Sequence, residues 1–198
     1  MHSVTNGISV KQEATTVQYA IDAGMSRFTV QGFASGWLSA FAHNPTITIR
    51  QFSGEARFDP EAPERSSLVL KIDAASLEVT GNVNDQDRPE IQRTMLNEVL
   101  EVDRFPEIVY ECHQVSANRT GEGRFWVTLS GELSLHGVTR PQPVSASLAM
   151  TDDSLRASGS SSLKQTDYDI KLVSAVGGGV KVKDELKLSF DIAARKVA

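Results

Sequence analysis

The feature that most limits how this chain can fold is the alternation of apolar and polar residues along much of its length. In Gly179–Ile192 the apolar side chains fall on even-numbered positions, at Val180, Val182, Leu186, Leu188, Phe190 and Ile192. The segment Phe125–Leu135 repeats the pattern on odd positions. Such alternation places one side of a strand against a core and the other toward water, which is typical of antiparallel sheets. We count roughly eight such strands, enough for a small closed barrel.

The alternation changes phase within Ile47–Phe58. Apolar residues occupy odd positions at Ile47 and Ile49, and then even positions at Phe52 and Phe58. One extra residue in a strand moves the later side chains to the opposite face, and bulges of this kind bend strands at barrel corners. The sequence therefore predicts a β-bulge near Gln51–Gly54.

One segment departs from the period of two. In Asp87–Leu100 the apolar residues have helical spacing, at Ile91, Met95, Leu96, Val99 and Leu100. Asp87 followed by Glu90 has the form of a capping box, and Pro89 lies in the first turn. We expect one amphipathic helix, with Asp87 as its N-terminal cap, to cover one end of the barrel.

Composition excludes several classes of partner. The chain has 20 lysines and arginines against 25 aspartates and glutamates, a net charge of −5. A chain of that charge is a poor match for nucleic acid or for an anionic bilayer. The single Cys112 cannot form a disulfide within the chain. Since no signal sequence is visible after Met1, we expect a cytoplasmic protein, or a periplasmic one if the chain was trimmed.

Catalytic motifs are not found in the sequence, which has no nucleophile elbow, phosphate-binding loop or dinucleotide fingerprint. The four histidines (His2, His43, His113 and His136) lack metal-ligand spacing, so we predict neither a catalytic residue nor a metal site. The glycines of Gly177–Gly179 and the pair His136–Gly137 are typical of turns between strands.

His43 is the histidine that most suggests a role in binding. It follows a stretch of small residues that carries Phe33, Trp37 and Phe41. At the mouth of a barrel this stretch would hold a ligand, with His43 as a polar anchor near Trp37 or Phe52. The alternative is that the aromatic rings fill the core and His43 bonds to the backbone.

Several motifs together resemble one family. Phe52–Pro60 has the pattern of a strand that contains a glycine and ends in Phe-Asp. Arg104–Ile108 has a Phe-Pro pair that begins a strand directly after a helix. The most specific match is Gly131–Pro141, and Asp167–Ile170 follows as a late Asp-aromatic element. On these motifs the chain resembles the YceI-like family of polyisoprenoid-binding, lipocalin-like barrels. It departs from the family pattern at Asn84–Glu90, where the helix is longer and more regular.

The resemblance implies an all-β fold, an extended antiparallel barrel of about eight strands with one helix. Residues 1–16 would form a flexible arm and residues 17–198 the barrel domain. The implied ligand is an isoprenoid-tailed lipid of polyprenyl or quinone type, held in an apolar channel without turnover. The residues that we expect to line or contact the ligand are Phe28, Val30, Phe33, Trp37, Phe41, His43, Phe52, Leu70, Leu129, Gly131, Leu133, Tyr168 and Phe190.

Two other functions stay open at the level of the sequence. One is an enzyme that acts on a small apolar substrate at a site centred on His43. The other is a ligand-free barrel that binds proteins through its surface. For the lipid-binding reading we expect no cofactor beyond the ligand and no nucleic-acid partner. Membrane contact would be transient, for ligand exchange, and a homodimer is left open.

Overall fold

The computed structural model describes residues 16–35, 44–175 and 180–197. Its strands are β1 (Val17–Gln31), β2 (Ala34–Ser35), β3 (Thr46–Ile49), β4 (Phe52–Phe58), β5 (Ser67–Asp73), β6 (Leu77–Gly81), β7 (Glu107–Gly121), β8 (Arg124–Leu135), β9 (Val138–Met150), β10 (Ser154–Lys164), β11 (Ser174–Ala175), β12 (Val180–Val182) and β13 (Glu185–Lys196). Single-turn 3₁₀ helices lie at Pro63–Arg65, Ala74–Ser76 and Gln165–Tyr168.

Eight long strands close into an antiparallel barrel. Their order is β13-β10-β9-β8-β7-β5-β4-β1, and β1 pairs with β13 to complete the ring. The short strands β3 and β6 extend the wall beyond β1 at one end. The predicted fold class is therefore confirmed, because the alternating residues form the strands of a closed barrel with one helix.

The turn between β8 and β9 shows how local sequence sets the register. Leu135 pairs with Val138 across a two-residue turn, in which His136 has φ +53° and Gly137 has φ +77°. Two successive positive φ angles are typical of a type I′ turn, whose twist matches that of the flanking strands. The predicted tight turn is confirmed at this position.

The predicted bulge near Gln51–Gly54 is wrong. Instead, β3 ends at Ile49 and β4 begins at Phe52, so the chain leaves the sheet between them. The amides of Arg50 and Gln51 bond to Ser76 across this break. The phase of the alternation changes because two separate strands meet there, one paired with β6 and the other with β5.

The helix lies over one end of the barrel. It runs as α1 (Arg88–Thr94) and continues through a π-helical turn over Met95–Val99. Met95 and Leu100 are buried, as the predicted apolar face requires. Gln92 fixes the helix to the edge of β6 by two hydrogen bonds, since its amide donates to the Leu77 carbonyl at 2.7 Å and accepts from the Val79 N–H at 2.7 Å.

Asp87 is not the cap that the sequence predicts. Its side chain makes no capping hydrogen bond, and its backbone is already helical. Asn84 caps the segment instead. Its side-chain Oδ1 accepts from the Asp87 N–H at 2.8 Å, and its backbone carbonyl accepts from the Arg88 N–H at 3.2 Å. Both residues are good caps in principle, and the turn at 85–87 selects the earlier one.

We therefore expect Asn84→Ala to lower the free energy of unfolding by about 0.5–2 kcal/mol, because the Asp87 N–H, in the turn that leads into α1, loses its acceptor. Chemical denaturation followed by circular dichroism measures the loss. Gln86→Ala, at an exposed position in the same turn, is the control and should change little. If Asp87→Ala costs as much as Asn84→Ala, the assignment of the cap to Asn84 is wrong.

A small second sheet lies at the same end as the helix. Strand β12 pairs with β11 through Lys181 and Ser174, and with β2 through Val182 and Ala34. The glycines of Gly177–Gly179 lie outside the described residues. Among the residues that are described, no helix has the length and apolar character needed to cross a bilayer.

Candidate ligand-binding cavity

The barrel encloses a cavity of about 930 Å³. Its wall consists of the inward-facing residues of the strands, which are mostly leucine, isoleucine, valine, alanine and phenylalanine. Cavities that hold small ligands measure about 300–1,000 Å³ and have mainly apolar walls. The size and chemistry of this cavity are therefore those of a binding site for an apolar molecule.

Aromatic rings close the end of the cavity that lies away from the helix. Phe58 packs edge-on against Phe125, with ring centroids 5.3 Å apart, and both are buried. The guanidinium of Arg119 lies 5.2 Å from the centre of the Phe125 ring on the same side. Leu148, Leu155, Ala194 and Phe58 line this part of the cavity. This end is mainly apolar, with Arg57, Ser66 and Ser67 as the polar lining residues beside Phe58, and its apolar part suits the tip of a hydrocarbon chain.

The mouth lies at the end covered by the helix and the small sheet. Most of the exposed residues that line the cavity are charged and lie on these covering elements. They are Asp87, Glu90, Arg93 and Glu98 from the helical segment and Lys181 from β12. The other two exposed lining residues are Arg57 on β4 and Ser174 on β11. Arg93 and Glu98 form an ion pair at 3.3 Å. The charged residues of the rim are hydrated, and the apolar wall of the cavity begins directly inside this rim.

A cluster at the helix exit joins the cover to the barrel. His136 Nδ1 lies 3.2 Å from the Tyr168 carbonyl, and its Nε2 lies 3.4 Å from Glu101 Oε1. Arg104 bonds to the same carboxylate, and this guanidinium, together with His136, holds the pKa of Glu101 below its usual value. The Phe105 ring packs on the imidazole at 4.5 Å. The end of the helix is thus tied to the β8–β9 turn.

Comparison with known proteins identifies the family. A family model described as the YceI-like domain matches residues 9–194. The chain belongs to the YceI-like family. Among its relatives, a UPF0312 protein of Ectopseudomonas mendocina is 27% identical over 168 residues, which cover 80% of this chain and 79% of the relative. A UPF0312 protein of Azotobacter vinelandii is 29% identical over 138 residues, or 68% of this chain and 63% of the relative.

Solved structures share the fold at low sequence identity. BcnA of Burkholderia cenocepacia has a TM-score of 0.64 and 15% identity, over 87% of this chain and 98% of BcnA. A polyisoprenoid binding domain from Saccharophagus degradans has a TM-score of 0.63 and 13% identity, over 91% of this chain and 99% of that domain. These matches place the YceI-like barrel among structures of known fold.

Most of the predicted contact residues that the structure describes lie on the wall of the YceI-like barrel. They are Phe28, Val30, Phe33, Leu70, Leu129, Leu133 and Phe190. Trp37, Phe41 and His43 lie outside the described residues, so the predicted anchor at His43 stays a prediction. Contact of any of these residues with a ligand is also a prediction.

Three predicted residues lie behind the cavity wall. Phe52 is buried edge-on against Phe28, with centroids 6.4 Å apart, and Phe28 covers it. Tyr168 is buried in the 3₁₀ turn beside His136. Gly131 points inward, but the tip of the Tyr110 ring covers it, so that a Cβ at Gly131 would lie 2.5 Å from the Tyr110 hydroxyl oxygen. The space that Gly131 leaves is filled by a neighbouring strand.

Among the polar lining residues that sequence reasoning missed, Tyr110, Gln142 and Ser161 lie within the long strands of the barrel. A signal was available in their positions. Gln142 shares the even phase of Val144, and Ser161 shares the odd phase of Leu163. Polar residues on the apolar phase of a strand face the inside of the barrel.

Reactive groups are few on this wall. Among the described residues, neither a histidine nor a cysteine lines the cavity, and no group of three or more potential metal ligands is found. Cys112 is buried in β7, and burial raises the pKa of its thiol. The thiol is therefore held in its protonated, poorly nucleophilic form.

All three tyrosines of the chain are buried, and burial raises the pKa of Tyr19, Tyr110 and Tyr168. In the unfolded chain they ionise near a pH of about 10, whereas in the barrel they keep their protons. We therefore expect stability to fall as the pH rises above about 10, with phenolate absorbance appearing only together with loss of the circular dichroism of the sheet. A phenolate step near that pH in a folded barrel would contradict the burial.

Proposed function

We propose that this YceI-like protein binds an isoprenoid-tailed lipid, of polyprenyl or quinone type, in the barrel cavity and does not alter it chemically. The observation that carries the proposal is the cavity of about 930 Å³, whose wall is mainly apolar and whose charged lining residues, apart from Arg57, lie around its rim. The structural likeness to a domain described as polyisoprenoid binding supports the same class of ligand.

The shape of the cavity favours a flexible chain. Its wall runs from Leu100 and Leu135 at the helix end to Phe58 and Leu155 at the closed end. A chain follows such a wall by rotating about single bonds and leaves few dry voids, whereas a rigid ring system would leave gaps that lose dispersion contacts. The charged rim then faces the more polar end of the lipid.

Burial of an apolar tail in the cavity is energetically favourable. At ~25 cal/mol per Å², burying a few hundred Å² of tail gives several kcal/mol before the costs of association. The reactive groups described above give no support to a chemical step. Among the described residues, which do not include His43, no comparable observation favours the other two readings, an enzyme centred on His43 and a ligand-free interaction barrel.

The experiment compares geraniol, geranylgeraniol and solanesol by calorimetric titration, with cholesterol as the rigid control. Affinity should rise with chain length until the tail fills the cavity, and cholesterol should bind much more weakly. Native mass spectrometry of freshly purified protein should find a co-purified apolar species, and extracted ligand should have unchanged mass.

Two results would count against the proposed function. One is equal binding of cholesterol and geranylgeraniol, which would show that the cavity does not select a flexible chain. The other is a product of altered mass, which would make the protein an enzyme. We further propose that the lipid is exchanged by transient contact with a membrane and that no additional cofactor takes part.

A further inference from the structure

Three polar side chains interrupt the apolar wall at one level of the barrel, below the helix. They are Tyr110 from β7, Gln142 from β9 and Ser161 from β10, and we call them the polar belt. In each of the three strands, the belt residue lies three or four residues from the strand end that is nearer to the helix. The belt is therefore just inside the mouth, between the charged rim and the apolar depth of the cavity.

A hydrogen bond and the strand pairing connect the belt residues across β7 to β10, on one side of the barrel. Gln142 Nε2 donates to Ser161 Oγ at 3.0 Å. Gln142 also pairs with Gly131 in the β8–β9 ladder, and the Tyr110 ring tip lies directly over Gly131. Because Gly131 has no side chain, the tip of the Tyr110 ring can lie over β8, next to the strand that carries Gln142.

The belt has unused hydrogen-bonding capacity directed at the cavity. The Tyr110 hydroxyl donates to the Leu129 carbonyl at 3.5 Å, a contact at the limit of useful length, and it also bonds to the backbone of Gly131. Ser161 accepts from Gln142, so its own O–H is left to donate elsewhere. Gln142 uses its NH₂ group on Ser161 and on the Ser162 carbonyl, and its Oε1 has no partner in the described part of the chain.

The Tyr110 hydroxyl remains a donor over the physiological range, because burial raises the pKa of its phenol. In the described part of the chain, the cationic side chains that line the cavity lie away from the belt: Arg93 and Lys181 on the covering elements, and Arg57 beside Phe58 at the other end of the barrel. A phosphate drawn down to this level would lose its hydration without an opposite charge nearby, which is costly. An uncharged oxygen faces no such penalty.

We propose that the polar belt is a subsite for one uncharged oxygen of the ligand, a hydroxyl or carbonyl at the head of the apolar chain. The inference rests on the proposed function and adds the position of the ligand's polar head group within the barrel. Tyr110 and Ser161 donate to this oxygen, and Gln142 Oε1 accepts from it when it is a hydroxyl. The tail extends from the belt toward Phe58, and a charged head would have to stay at the rim.

The test uses three ligands with the same tail: geranylgeraniol, geranylgeranyl diphosphate and the hydrocarbon in which the hydroxyl is replaced by hydrogen. The variant is Tyr110→Phe with Ser161→Ala, which removes only two oxygens. Its matched control is Tyr19→Phe with Ser160→Ala, because Tyr19 is buried away from the cavity and Ser160 faces outward. Circular dichroism checks that both variants fold.

We expect the unmodified protein to bind the alcohol at least 10-fold more tightly than the hydrocarbon. The belt variant should remove most of that difference, since each hydrogen bond accounts for roughly a 3- to 10-fold factor. It should leave hydrocarbon affinity unchanged, and the control should retain the preference for the alcohol.

The subsite is overturned if alcohol and hydrocarbon bind equally to the unmodified protein, or if the belt variant and the control behave alike. It is also overturned if the diphosphate binds most tightly and the belt variant weakens it. In these cases the tail still binds and the proposed function stands. Failure of all three ligands to bind would overturn the proposed function itself.

Discussion

Replacing Ala157 by phenylalanine is expected to lower the affinity for geranylgeraniol about a hundred-fold. Ala157 lies on the cavity wall in β10, where it pairs with Leu148 and Ile192. The added ring would occupy the space through which a tail passes toward the closed end. If about 100 Å² of tail loses its contact, the loss at ~25 cal/mol per Å² is ~2.5 kcal/mol, which corresponds to nearly two orders of magnitude in Kd.

Ser158→Phe is the matched control for this prediction. Ser158 is the next residue of β10, is exposed and points away from the cavity. The same ring at that position should leave ligand affinity unchanged while reproducing any general effect of an added phenylalanine. Calorimetric titration of both variants provides the comparison. Unchanged binding by a folded Ala157→Phe variant would mean that the tail does not lie in this cavity.

Gly131→Ala is expected to cost about 1–3 kcal/mol of folding free energy, which is large for one methyl group. The new Cβ would lie 2.5 Å from the Tyr110 ring tip and 2.7 Å from the Glu111 carbonyl oxygen. The ring can turn aside, but the carbonyl belongs to the backbone of the paired strand. The β7–β8 pairing must therefore shift to admit the methyl group.

Gly81→Ala is a suitable comparison, because a Cβ there would have its nearest neighbour, the Thr46 Cβ, at an ordinary 3.5 Å. We expect that variant to change stability by less than about 0.5 kcal/mol. Thermal and denaturant unfolding of the two variants measure the contrast. If Gly131→Ala and Gly81→Ala were equally stable, the wall at Gly131 would have room for a methyl group. That result would agree with the sequence-based expectation that Gly131 lines an open channel.

The barrel could be predicted from the sequence because strand geometry is local. Side chains of a strand point alternately to its two faces, so the runs in Phe125–Leu135 and Gly179–Ile192 already specify which residues face inward. The helix was predictable for the same reason, from the spacing of Ile91, Met95 and Leu100. The wall residues Phe28, Leu70 and Leu129 followed from the phase of their strands.

Other features depend on contacts between residues far apart in the chain. The space above Gly131 is empty or filled according to how β7 is aligned with β8. That alignment includes a register shift between Cys112 and Val115, which the sequence of one strand alone does not reveal. The phase change at Gln51 is compatible with a bulge or with two strands, and the position of Ser76 selects the second. The choice of Asn84 over Asp87 as cap depends on the turn between them.

The pairing of β1 with β13 has a consequence for how the barrel forms. Tyr19 lies opposite Lys196, so the ring closes between residues near opposite ends of the chain. Contacts of such large sequence separation require costly loop closure and are associated with slow folding. The hairpins from β7 to β10 join neighbouring segments, whereas the apolar inner face is fully enclosed only once β1 and β13 have paired. Enclosure of the cavity therefore depends on the strand pairing with the costliest loop closure.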